Sequence, residues 1–165
     1  MKNTDSEKLL RKIRLWLIVF VVLLILSGLT AFPIQTELNW LAGYAHYFPE
    51  QMQLWLASTT AAINDTYSKY PSLAYGYDWL AFAHIVIGVA FVGPWRDPVR
   101  NIWVIEWGMI ACVLVLPLAF ICGPIRGIPF FWRLIDSSFG IFGILPLWYV
   151  WRKIKKLEQL SENQP

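Results

Sequence analysis

The sequence predicts an all-α integral membrane protein, a four-helix bundle with a helical extracytoplasmic segment between its first and second spans. Three observations predict it. The 165 residues are 57% hydrophobic, above the roughly 45 to 50% apolar content of soluble domains. Only 15% are charged, and these gather between four long apolar runs, so lipid must act as solvent for the rest. Lys and Arg fall mainly to one side of those runs, the bias expected of cytoplasmic loops.

The first run, 15–32, holds eighteen residues without a charge and follows Lys2, Lys8, Arg11, Lys12 and Arg14. It exceeds the roughly 7 to 15 residues of a signal-peptide core, and no Ala-x-Ala site follows it before Pro33, so it reads as an anchor. The second span covers about 77–95, the third 102–122 and the fourth 130–151. Each approaches the ~20 residues needed to cross ~30 Å of hydrocarbon at 1.5 Å per residue. Helices are required, because unpaired strand backbone is intolerable in lipid and the alternation of a barrel is absent. Gly93-Pro94 and Gly123-Pro124 are expected to end the second and third spans, glycine as a left-handed cap and proline as a breaker. A short echo, Ala90 to Arg96 against Ala119 to Arg126, reads as a shared capping solution.

Orientation follows from charge. The tail 1–14 carries five basic residues, the turn Arg96 to Arg100 two and the tail 152–165 four, so eleven of fourteen share one face. That face is expected to be cytoplasmic in the inner membrane of a bacterium, with both termini inside. Lys69, Arg126 and Arg133 remain on the other face. Trp16, Trp79, Trp95, Trp103, Trp107, Trp132, Trp148 and Trp151 lie near span ends, where an indole buries its ring and still donates a hydrogen bond. The chain therefore reads as a single membrane domain, 1–165. Its net charge of +3 describes loops beside lipid and not a nucleic-acid surface.

The outer segment, 33–76, is too long for a structureless loop in a compact protein. Helical spacing of Trp40, Leu41, Tyr44 and Phe48, then of Met52, Trp55, Leu56, Thr59 and Ile63, predicts two short helices on the outer surface. Asn64-Asp65-Thr66 fits the glycosylation pattern, which three residues match often by chance.

Ionisable groups at membrane depth are where function is sought. His84 and Asp136 each lie about 9 Å inside the outer boundary at 1.5 Å per residue. Ala81, His84 and Gly88 form one helical stripe, and Arg133, Asp136, Gly140 and Gly143 another, each expected to face the bundle interior. A cluster of His84, Arg133 and Asp136 with Arg126 at its rim follows, with Arg133 and Asp136 pairing across one turn. An imidazole beside a carboxylate can relay a proton or act as a base, and catalytic candidates are accordingly His84 and Asp136. Glu106, near the cytoplasmic start of the third span, is expected to pair with Arg96 or Arg100. Cys112 and Cys122 lie about 15 Å apart along one helix and form no redox motif. Haem ligated by two imidazoles would need His46 and His84 together, and no His, Cys or Asp stands at metal-ligand spacing, so neither cofactor nor metal is expected.

Three functional readings stay open. The first is a non-enzymatic component that binds membrane lipid, another membrane protein or a second copy of itself. A second is a membrane enzyme or redox protein using His84 with Asp136 near the outer leaflet. The third is a proton-coupled transporter using Glu106, His84 and Asp136.

Overall fold

A computed structural model describes residues 2–162; Met1 and the last three residues of the predicted C-terminal tail lie outside the described residues. All regular structure among the described residues is helical. Six helices carry it: α1 (Lys2–Leu29), α2 (Ile34–Gly43), α3 (Glu50–Lys69), α4 (Pro71–Arg96), α5 (Ile102–Ile125) and α6 (Phe130–Glu162). Helices α4, α5 and α6 are each long and apolar enough to cross a membrane. The count rises to four if α1 and α2, bent by 83° at their junction, form one broken span. The chain therefore has the helices of a multi-span membrane protein.

Two compact units divide the chain, one made of the described residues up to Val22 and from Val89 onward, the other of Leu23–Gly88. In the first, α5 and α6 pack along their length. Their contact is close because Gly140 and Gly143 of α6 face Cys112 of α5; a methyl group on Gly143 would stand 3.0 Å from the Cys112 sulfur, and one on Gly140 would collide with the Cys112 carbonyl. Small residues allow this approach in membranes, where dispersion and not dewetting holds helices together. Of the expected stripe on the fourth span, Gly140 and Gly143 thus face α5.

The densest packing of this unit lies at the end where the charged flanks are. Ile13 and Leu17 of α1, Phe91 and Pro94 of α4, Ile105 of α5, and Leu147, Val150 and Ile154 of α6 are fully buried. The aromatic rings of Phe20 and Phe91 meet at 4.9 Å, and those of Trp16 and Tyr149 at 5.4 Å. Both flanks read as tails in the sequence, yet both continue the helices. Leu9, Ile13 and Leu17 on one, and Leu147, Val150, Ile154 and Leu157 on the other, recur every three or four residues and are buried. That spacing is an amphipathic helix signal that runs past the apolar runs into the charged flanks.

In the second unit α2 and α3 form a helical hairpin. Leu38 from α2 and Leu56 and Thr60 from α3 are buried. Side-chain amides fasten the pair: Gln35 Nε2 donates to Asn64 Oδ1 at 2.8 Å, Asn64 Nδ2 donates to Asn39 Oδ1 at 2.8 Å, and Asn39 Nδ2 returns a bond to Asn64 Oδ1 at 3.2 Å. The sequence placed two helices here, and α3 proves the longer at 20 residues. Trp40 and Tyr44 point outward with their rings 5.0 Å apart, while Leu38 supplies the inward residue of that turn.

Helix ends also differ from expectation. Helix α1 stops at Leu29, three residues before the expected end, where the Ser27 and Thr30 hydroxyls donate to the carbonyls of Leu24 and Ser27. Such local bonds compete with the helical ladder, and Pro33 then removes a donor. Neither Gly93 nor Gly123 acts as a left-handed cap, since both Gly-Pro pairs sit inside helical turns. Each pair opens a separate short turn at the end of its long helix, Val92–Arg96 and Gly123–Ile125, and a proline in a first turn has no intrahelical partner to lose. Helix α5 is instead interrupted at Pro117, after which Leu118–Cys122 widens into a π-turn. Its true stop is Gly127, the one glycine with positive φ, 69°, among the described residues. Ile128 N–H donates to the Gly123 carbonyl at 2.9 Å and Gly127 N–H to that of Pro124 at 3.0 Å, a Schellman pair.

Candidate functional site

The polar groups of the candidate site come from three places in the fold. His84 lies in the second unit, on the α4 face that also buries Ala81 and Gly88. Its Nδ1–H donates to the Leu80 carbonyl one turn earlier at 2.8 Å. A carbonyl only accepts, so Nδ1 carries the proton in the neutral ring and Nε2 is left as an acceptor. Gly28 of α1 backs directly onto the imidazole; any side chain there would overlap His84 Cβ and Cγ. The contact sets the ring against a helix with no Cβ, a partner the sequence reading did not pick out. The cue was available in Ser27-Gly28, a small pair near the end of an otherwise bulky apolar run.

Arg133, Asp136 and Arg126 belong to the first unit. The expected ion pair between Arg133 and Asp136 does not form; the salt bridges among the described residues are Lys69–Asp65 and Lys155–Glu158. Arg133 turns back along α6 instead, with its guanidinium 5.2 Å from the Phe130 ring and its stem against Gly123. A helical side chain leans toward the N-terminus, which carries Arg133 away from a carboxylate three residues ahead. The buried Arg133 Nε has no hydrogen-bond partner in the protein. Beside Asp136, Ser137 is buried and donates to the Arg133 carbonyl at 2.7 Å. Arg126 is exposed on the turn closed by Gly127.

Glu106 meets neither Arg96 nor Arg100 as an ion pair among the described residues. Its carboxylate accepts the Trp151 indole N–H at 3.0 Å, a bond between the start of α5 and the end of the fourth apolar run. The arginine expectation failed because Arg100 precedes Asn101, whose amide donates to the carbonyls of Asp97 at 2.9 Å and Gly93 at 3.3 Å. With Asp97 Oδ1 accepting from the Arg100 backbone at 3.1 Å, that turn is closed on itself. Across it, Arg14 Nε donates to the Trp95 carbonyl at 3.1 Å with the guanidinium 5.4 Å from the indole ring.

These bonds bring the basic flank of α1, the turn after α4, the start of α5 and the end of α6 to one place. Cys112 is half-buried against Gly143 and Cys122 is exposed; both are free thiols. His46 is exposed and stacks on Tyr47 at 3.9 Å. Among the described residues no three His, Cys, Asp or Glu side chains gather around a point that could hold a metal. The chain matches no protein-family model, no curated protein and no solved structure.

Proposed function

We propose that this chain is a four-span protein of a cytoplasmic membrane, both termini inside, that serves as a non-catalytic component joining another membrane protein through its outer helical hairpin. One observation carries the reading. Helices α2 and α3 use Leu38, Leu56 and the Asn39–Asn64 pair to hold each other, while Trp40 of α2 and Tyr47 of the turn between them face away, 65% and 76% exposed. Charge on this hairpin is sparse, so an apolar partner surface suits it better than an anionic one.

Two further facts support the placement. The residues that face out along the spans, among them Leu114 and Phe139, are large and apolar, which lipid tolerates and water does not. Two polar groups within the spans are bonded into the scaffold, His84 to Leu80 and Glu106 to Trp151, a structural use.

Photo-crosslinking residues placed at Trp40, Tyr47, Leu114 and Phe139 test this in native membranes. Protein adducts of one defined mass are expected from the first two positions and lipid adducts from the last two. Lipid adducts alone from Trp40 and Tyr47 would end the partner reading, and an absence of lipid adducts from Leu114 and Phe139 would end the membrane reading.

A further inference from the structure

The last turns of α6 carry a surface that the proposed function does not use. Here the helix passes from apolar to basic on one continuous exposed face. Ile141, Phe142 and Leu145 are exposed on it, Phe142 at 70%, followed by Trp148 at 51% and then by exposed Arg152 and Lys156. An open groove of about 590 Å³ lies along the basic part of this face from Trp148 onward, lined by Tyr149, Arg152, Lys153 and Lys156, with Leu145 and Phe142 beyond its apolar end.

The cations are held in place by rings and not by anions. Arg152 lies 5.0 Å from the Trp148 ring and the Lys153 ammonium 5.0 Å from that of Tyr149. Lys155 differs, since Glu158 accepts from it at 3.0 Å. No carboxylate pairs with Arg152, Lys153 or Lys156 among the described residues. Three uncompensated positive charges therefore stand within two turns of an indole and a phenol whose apolar bodies continue the face toward Phe142.

Resting on the membrane placement above, we infer that this groove binds an anionic phospholipid, its phosphate among Arg152, Lys153 and Lys156 and its acyl chains along Trp148, Leu145 and Phe142. The charge selects the headgroup: donors fixed by cation–π contact meet phosphate oxygens with little further ordering. The apolar continuation selects a lipid over free phosphate, because a phosphate ion leaves the exposed Phe142 and Leu145 uncovered. The spacing fits as well. Trp148 to Lys156 is eight residues, about 12 Å along the helix, enough to run from the hydrocarbon edge through the roughly 5 to 8 Å of one headgroup layer.

The test uses the full chain in mild detergent, titrated with phosphatidylglycerol or phosphatidylcholine and read by native mass spectrometry. Preferential retention of phosphatidylglycerol is expected, weakening as salt rises, since exposed charges are screened. Each basic residue near a membrane surface contributes about fivefold in affinity, so R152Q/K153Q/K156Q should lower the preference by about a hundredfold. The charge-conserving variant R152K/K153R/K156R should keep most of it. Equal retention of the two lipids by the wild-type chain, a preference unchanged between low and high salt, or full preference in the neutral variant would overturn the inference. Displacement of the lipid by an equal concentration of inorganic phosphate would overturn the lipid assignment. The outcome is separable from the proposed function: a chain extracted from membranes by alkaline carbonate fails that reading, whereas an inserted chain without lipid preference fails only this one.

Discussion

The Tyr67 hydroxyl is buried on α3 with no hydrogen-bond partner in the protein. Burial raises its pKa above the ordinary 10.0, with smaller contributions in the same direction from the neighbouring Tyr77 and Asp78. Removing that oxygen should relieve an unmade bond, so Tyr67→Phe is expected to stabilise the chain by about 1 kcal/mol in thermal unfolding at neutral pH. A pH dependence accompanies it. Below the unfolded pKa both states are protonated and the raised value has no effect. As pH climbs past 10 the unfolded chain releases the proton while the folded one retains it, so stability falls. Comparing wild type with Tyr67→Phe cancels the six other tyrosines, and the wild type should lose more stability between neutral and strongly alkaline pH. An identical decline in both proteins would show that the hydroxyl is solvated.

At the scale of elements, the sequence revealed the existence of the long helices more fully than their ends. Mean apolarity sets the spans, and all three of α4, α5 and α6 stand where long apolar runs predicted them. Ends depend on single backbone bonds. The Gly-Pro pairs looked like stops because proline breaks helix interiors, but in a first turn it breaks nothing, and the cap fell to Gly127 four residues after Gly123. Charged flanks misled in the opposite sense. Lys and Arg between Leu9 and Ile13, and between Ile154 and Leu157, hid an apolar stripe that charge counting overlooks. That stripe makes the flanks part of the core. Ile154 is fully buried, so Ile154→Ala should cost about 2 to 5 kcal/mol by leaving a cavity, measured as a fall in the unfolding midpoint of the purified chain. A tail merely lying in solvent would show no change. The candidate polar cluster was legible only as depth and face. Periodicity put Ala81 and Gly88 on a buried stripe and Gly140 against α5, but rotamer direction, which sent Arg133 back to Phe130, has no signature in spacing.

For the whole molecule the open quantity is whether α1 crosses the membrane, because its helix qualifies as a span only together with α2. Charge and packing point the same way. Arg14 bonds to Trp95 and Trp151 to Glu106, so the basic flank of α1, the turn at Arg96 and the basic end of α6 gather at one end of the first unit. On the proposed reading, positive charge near span ends stays on the cytoplasmic side, so both termini share that side and the number of crossings is even. Single cysteines at Glu7, Val99, Ser161 and Gln51, in a chain whose Cys112 and Cys122 are replaced by serine, read this out. A membrane-impermeant maleimide applied to intact cells should label Gln51→Cys alone, and the other three only after permeabilisation. With three spans and a re-entrant α1–α2 pair, Glu7→Cys would instead be labelled from outside together with Gln51→Cys, while Ser161→Cys stayed protected. Because Trp16 of α1 packs on Tyr149 of α6 and holds the two flanks at one end, labelling of Glu7→Cys and Ser161→Cys should change together on permeabilisation.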